Sequence, residues 1–297
     1  MLTTILMTAL NLVAAPISGD ATLRSQAGPS EIVLTTTSRL AGAVHSLTWH
    51  GREFIDSTDH GRQLQSACAF DCGKSPFWAE CYNPTEAGSR RDHVGPTSTS
   101  RLLSLKATPT TITTRSQMAF WLNPGELSSK RPALNAKALS DHVVAKTITL
   151  NFRSLPHAIG YDVTFTVPAG ESHTLAQLEA ATGYMPPGFS SFATFDPQTH
   201  QLAPLTDGPG EQVKPVVLST PNGSHAMGII AVAPFPKNAT APTYGRWKFV
   251  EEKVVKWNCV SRVQAAAGVP PGDYRFQMAI AVGSRENVRL TLAQLLK

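Results

Sequence analysis

Turn-forming groups cut this chain from end to end. Pro-Ala-Gly stands at 168–170, Pro-Pro-Gly at 186–188 and again at 270–272, and Asp-Gly-Pro-Gly at 207–210. Proline fixes φ and lacks an N–H, and glycine costs a helix interior about 1 kcal/mol, so long helices cannot run through these points. Between them lie short stretches rich in Val, Ile, Thr and aromatic residues, which suit a pleated, half-buried strand. Strands are read at 31–37, 42–49, 62–70, 98–106, 110–122, 142–153, 160–167, 173–183, 215–220, 226–234, 246–262 and 273–282. A turn at 50–53 leads into a short strand at Phe54-Ile55. One helix, 285–296, closes the chain: Ser284 can cap it, and Val288, Leu292, Leu295 and Leu296 share a face. So many strands without alternating helices predict an all-β chain, a large antiparallel β-sandwich with one C-terminal helix.

The first fifteen residues, MLTTILMTALNLVAA, carry no charge and end in two small residues. They read as a signal peptide within 1–19, cut between Ala14 and Asp20, which leaves one sandwich domain over 20–297. No later segment approaches the roughly eighteen apolar residues of a spanning helix. The expected product is therefore secreted or periplasmic, with no membrane segment once the leader is gone. Four cysteines, Cys68, Cys72, Cys81 and Cys259, fit an oxidising compartment. The expectation is one local bridge within 68–81 and one from that loop to Cys259, although four cysteines allow three pairings. Cys-x3-Cys with a distant third cysteine fits zinc spacing poorly, and no stretch matches an EF-hand loop, so no metal or other cofactor is assigned. The net charge of +5 is scattered, with no basic run longer than Arg90-Arg91, and leaves no nucleic-acid footprint. It permits a mild preference for acidic polymers. Nothing in the sequence sets an oligomeric state.

The opening strand, the run GAVHSLTWHGREFID at 42–56 and GRQLQ at 61–65 together resemble the start of the galactose-mutarotase-like β-supersandwich. That fold is shared by aldose epimerases and by domains of several glycoside hydrolases and polysaccharide lyases. The resemblance covers about the first seventy residues by pattern and the rest by strand count. The epimerases' catalytic His and Glu motifs find no place on this chain, so no catalytic residue carries over. What the resemblance implies is a sheet that faces a carbohydrate partner.

Absent motifs narrow the chemistry: there is no G-x-S-x-G elbow, Walker loop, dinucleotide glycine fingerprint or H-E-x-x-H. What stands out is a polar block over 56–93. Glycosidic hydrolysis needs two carboxyl groups flanking the bond, and Glu86 with Asp59 or Asp92 is the expected pair. Arg62, Gln65 and Asn83 suit sugar hydroxyls, while Tyr82, Trp78 and Phe77 suit pyranose faces. The same block suits a lyase acting on a uronic-acid polymer. There Arg62, Asn83 or Gln65 neutralises the carboxylate, and Tyr82 and His60 serve as base and acid. Outside the block, Glu179 sits in an apolar strand near Tyr184, and such an acid requires a partner or a raised pKa. Three readings stay open: a glycoside hydrolase, a polysaccharide lyase, and a non-catalytic carbohydrate-binding protein of the envelope.

Overall fold

The computed structural model describes residues 17–73, 75–232 and 235–297. Nineteen strands hydrogen-bond into one continuous antiparallel sheet that folds over itself as two layers. The front layer runs in the order Ala21–Ala27, Ser30–Thr36, Val44–Trp49, Leu64–Phe70, Leu175–Met185, Val254–Gln264, Thr243–Phe249, Gly210–Gln212. The back layer runs Arg101–Ala107, Thr111–Phe120, Leu139–Leu150, Ala158–Val167, Gly272–Gly283, Ala226–Ala231, Val216–Ser219, Ser191–Phe195, Leu202–Pro204. A two-residue strand, Pro84–Thr85, pairs with Leu64–Phe70 on one side and Thr111–Phe120 on the other, stitching the layers together. Among the described residues, the architecture observed is thus the all-β sandwich with a single α-helix at the C-terminus.

Strand alternation builds the core. In Ala158–Val167, Ile159, Tyr161, Val163, Phe165 and Val167 turn inward and the residues between them face out. They meet Leu34, Leu64, Leu178, Trp257 and their neighbours from the front layer in one apolar cluster. The helix Arg285–Leu295 lies on the outer face of the back layer, where Val288, Leu292 and Leu295 cover Ala226, Ile230, Ala279 and Ala281. Ser284 caps it, accepting from the amide of Asn287. Leu296 falls outside the helix and is exposed, because the apolar face ends one residue earlier. Among the described residues no α-helix covers the outer face of the front layer, and that face holds the site described below.

Several expectations are corrected. The stretch 246–262 is two strands, Thr243–Phe249 and Val254–Gln264, joined by a turn in which Lys253 takes a positive φ. The turn after Trp49 is tighter than expected: His50 and Gly51 both have positive φ, so Arg52–Glu53 pairs back onto Thr48–Trp49 and Phe54-Ile55 forms no strand. Several strands went unread, among them Ala21–Ala27, Ser191–Phe195, Leu202–Pro204 and Gly210–Gln212. Of the expected leader, residues 1–16 lie outside the described residues. Gly19 and Asp20 already belong to the fold: the Gly19 amide donates to the Ser38 hydroxyl, Thr36 donates to the Gly19 carbonyl, and Asp20 accepts from the Ser38 amide.

The expected disulfides are absent: Cys68, Cys72, Cys81 and Cys259 are all free. Cys68 and Cys259 sit on strands separated by Leu175–Met185, paired with Leu178 and Ala181 respectively. Two strand spacings alone separate their backbones by about 9–10 Å, and an offset along the strands adds to this, beyond the roughly 4.4–6.8 Å that a bridge spans.

Candidate functional site

A cleft of about 430 Å³ opens on the outer face of the front layer. Gln65, Ala67 and Ala69 supply part of its floor from Leu64–Phe70, Gln177, Glu179, Thr182 and Tyr184 from Leu175–Met185, and Lys256 and Asn258 from Val254–Gln264. Glu211, Trp247 and Phe249 lie toward one edge, and Trp78, Glu80, Asn83 and Trp121 come from the connecting loops.

One irregularity decides what the floor displays. Strict alternation would put Glu179 on the face of Ala181 and Gly183. The pairing shifts register between Glu179 and Ala181 on one side and between Glu179 and Thr182 on the other, the mark of a β-bulge. Ala180 and Ala181 are therefore both buried, and Gln177, Glu179, Thr182 and Tyr184 all reach the cleft. Two glycines allow aromatic rings to lie flat against the backbone. A Cβ on Gly61 would stand 2.5 Å from the Trp121 ring, and one on Gly245 would stand 2.2 Å from the Trp247 ring.

The polar floor is organised around Glu179. Its Oε1 accepts from Asn258 Nδ2 at 2.7 Å and lies 3.1 Å from Lys256 Nζ, while Asn258 Oδ1 in turn accepts from the Gly245 amide at 3.0 Å. The Lys256 ammonium stands 5.1 Å from the Tyr184 ring and 5.0 Å from the Trp247 ring. Burial alone would lower the lysine's pKa, but Glu179 and Tyr184 outweigh it and hold it above the usual range. Burial raises the Tyr184 phenol, and Lys256 offsets part of that. Glu211 accepts from Arg262 at 2.8 Å and from the Thr243 hydroxyl at 2.9 Å, and against the effect of burial these donors lower its pKa. Glu80 accepts from the Ser128 hydroxyl, which also receives the Trp78 indole N–H at 3.1 Å. Each cleft carboxylate thus faces at least one hydrogen-bond donor.

Of the residues expected from sequence, the structure brings Gln65, Asn83, Glu179 and Tyr184 to the cleft, together with Trp78. The others lie elsewhere. Glu86 is fully buried between the layers, where it accepts from the Ser66 amide and pairs with Lys146, itself 1% exposed. The Lys146 ammonium stands 5.2 Å from the Tyr161 ring, whose phenol burial raises to about 12. His60 is buried with both ring nitrogens against backbone carbonyls, those of His93 and Arg39. Asp59 accepts from the Gly61 amide and pairs with Arg62 at 3.2 Å. Asp92 clamps its loop by accepting from Ser89 and from both the amide and hydroxyl of Thr99. Tyr82 belongs to an aromatic cluster with Phe70, Phe120 and His173, and burial followed by the nearby Glu171 raises its phenol. No group of three or more His, Cys, Asp or Glu suited to a metal ion occurs among the described residues.

Sequence reasoning missed Trp121, Trp247, Lys256, Asn258, Glu211 and Gln177 as cleft residues. The signal for Asn258 was there: Val255, Trp257 and Cys259 alternate inward, so Lys256 and Asn258 must face out.

No protein-family model matches the chain, and comparison with curated proteins finds no match. Solved structures offer distant likenesses. The Slr1438 protein of Synechocystis sp. PCC 6803 has a TM-score of 0.46 at 10% identity, over 94% of this chain and 100% of that one. The alpha-galactosidase of Lactobacillus brevis has 0.45 at 9%, over 92% of this chain and 40% of its own. A mutant of the heparan sulfate lyase HepC from Pedobacter heparinus has 0.43 at 9%, over 93% and 37%. The chain thus spans all of the first protein and about two fifths of the other two. Likeness at this level assigns neither an activity nor a residue role.

Proposed function

We propose that this protein is carbohydrate-directed and that the front-layer cleft holds a short stretch of poly- or oligosaccharide. One observation carries the reading: the rings of Trp78, Trp121 and Trp247 share a cleft with a floor of amides and carboxylates. A pyranose has an apolar C–H face and a rim of hydroxyls, so it needs an aromatic plane and convergent hydrogen-bond groups together. Gln65, Asn83, Gln177, Glu179 and Asn258 supply the second requirement beside the rings.

Cleavage of glycosidic bonds is a second reading. It is favoured by the presence of three carboxylates, Glu80, Glu179 and Glu211, in a cleft where hydrolysis needs two. Glu179, set beside Lys256 and Tyr184, is its best-placed reacting group. We also propose export to the periplasm or medium, supported by the charge-free apolar start.

The test is a panel of neutral and uronic polysaccharides, with binding, new reducing ends and unsaturated ends read in parallel. Binding that Trp247→Ala weakens about tenfold or more supports the cleft. Reducing ends lost with Glu179→Gln support hydrolysis, and unsaturated ends support elimination. A panel with neither binding nor products would end the carbohydrate reading.

A further inference from the structure

We infer that the cleft selects among saccharides by charge, favouring sugars that carry a protonated amino group and disfavouring uronic acids; this rests on the carbohydrate reading above. The lining holds three acidic side chains, Glu80, Glu179 and Glu211, and one basic one, Lys256. Two of the acids have their own cations, Lys256 at 3.1 Å from Glu179 and Arg262 at 2.8 Å from Glu211. Glu80 differs. Among the described residues its carboxylate meets only the Ser128 hydroxyl, while the nearby Arg131 guanidinium stacks on the Trp78 ring at 5.1 Å. The wall formed by Trp78 and Glu80 therefore presents an aromatic plane beside a carboxylate that has no ion pair among the described residues. A sugar ring stacked on that plane would bring an amino substituent toward the carboxylate, whereas a uronate would bring a like charge. The ring faces reinforce this, since aromatic faces attract cations.

The whole chain argues the other way at long range. Its net charge of +5 draws acidic polymers toward the surface. That attraction fades over a Debye length of about 8 Å at physiological salt, while contacts inside the cleft persist. Ionic strength therefore separates the two effects.

The experiment is calorimetric titration of the full chain in about 0.15 M salt with three tetrasaccharides. One is glucosamine at a pH that protonates its amine, one its N-acetylated counterpart, and one galacturonic acid. The amino tetramer should bind about two- to fivefold more tightly than the acetylated one, the scale of a partly exposed ion pair, and the uronate should bind least. Glu80→Gln should bring the amino-to-acetyl ratio toward one. A uronate that binds as tightly as the amino sugar, or a ratio indifferent to Glu80→Gln, overturns the preference while leaving the saccharide site standing. Binding of none of the three removes the site and the preference together.

Discussion

The ion pair of Glu86 with Lys146 shows how far one side chain's role depends on its surroundings. In the sequence Glu86 belongs to a polar run, and density there suggested chemistry. In the fold it enters the core beside the stitching strand and meets a lysine that alternation sends inward from Leu139–Leu150. Burial disfavours the lysine's charge, yet Glu86 and Tyr161 outweigh it and raise its pKa. Removing one partner of such a pair leaves the other charged and desolvated, which costs about 3–5 kcal/mol. Glu86→Gln should therefore lower the urea midpoint strongly, and Glu86→Gln with Lys146→Met should recover much of the loss. Saccharide affinity of the folded fraction should stay close to that of the parent. A Glu86→Gln protein of unchanged stability that has lost all activity would return this residue to the chemistry. Glu179 is the converse case. Its position among alanines and leucine made a partner necessary, and Lys256 and Asn258 are that partner.

At the scale of elements, strand existence was legible because β-branched runs and Pro/Gly breaks are local signals. Facing was less so, because the bulge at Ala180-Ala181 breaks the two-residue period without any glycine or proline to mark it. The loop carrying Trp78 and Glu80 is anchored by contacts equally invisible in sequence. Its entry packs on a cluster in which Glu171 lies 2.9 Å from His173 and 3.5 Å from His142, with Phe70 against both rings. Burial pushes His142 down to about 4. Burial also opposes charge on His173, but Cys72, Glu171 and the Asp71 carbonyl outweigh it and raise the group to about 10. The signs follow from linkage. His142 is depressed below its unfolded value near 6.5, so its contribution is present above that pH and is lost as pH falls toward 4. His173 is raised, so its contribution is full below about 6.5 and is lost as pH climbs through 10. Stability should decline on both sides. His142→Gln should flatten the acid limb between pH 6.5 and 4 and leave the alkaline limb in place, as denaturation midpoints across pH would show. An acid limb unchanged in His142→Gln would assign it to other groups.

For the whole molecule, the two layers differ in what their outer faces carry. The back face is apolar and takes the C-terminal helix, while the front face keeps its amides, carboxylates and rings open. That division was legible only as a count of strands and one terminal amphipathic segment, because partners across the sheet lie as far apart in sequence as Ala158 and Ala281. The cysteines make the same point. Their even number suggested a disulfide framework, but pairing is a property of the assembled sheet, and the strand Leu175–Met185 stands between Cys68 and Cys259. Cys68, Cys81 and Cys259 are buried and Cys72 is partly exposed. Burial raises the thiols of Cys68 and Cys259 well above their ordinary range, which suppresses the reactive thiolate. A thiol reagent added to the native protein should therefore modify Cys72 first, with Cys68 and Cys259 reacting only on unfolding. Denatured without reductant, the protein should titrate four thiols, and mass spectrometry of the labelled peptides would locate each one. Two thiols instead of four, with a Cys68–Cys259 peptide pair, would require a different arrangement of the front layer.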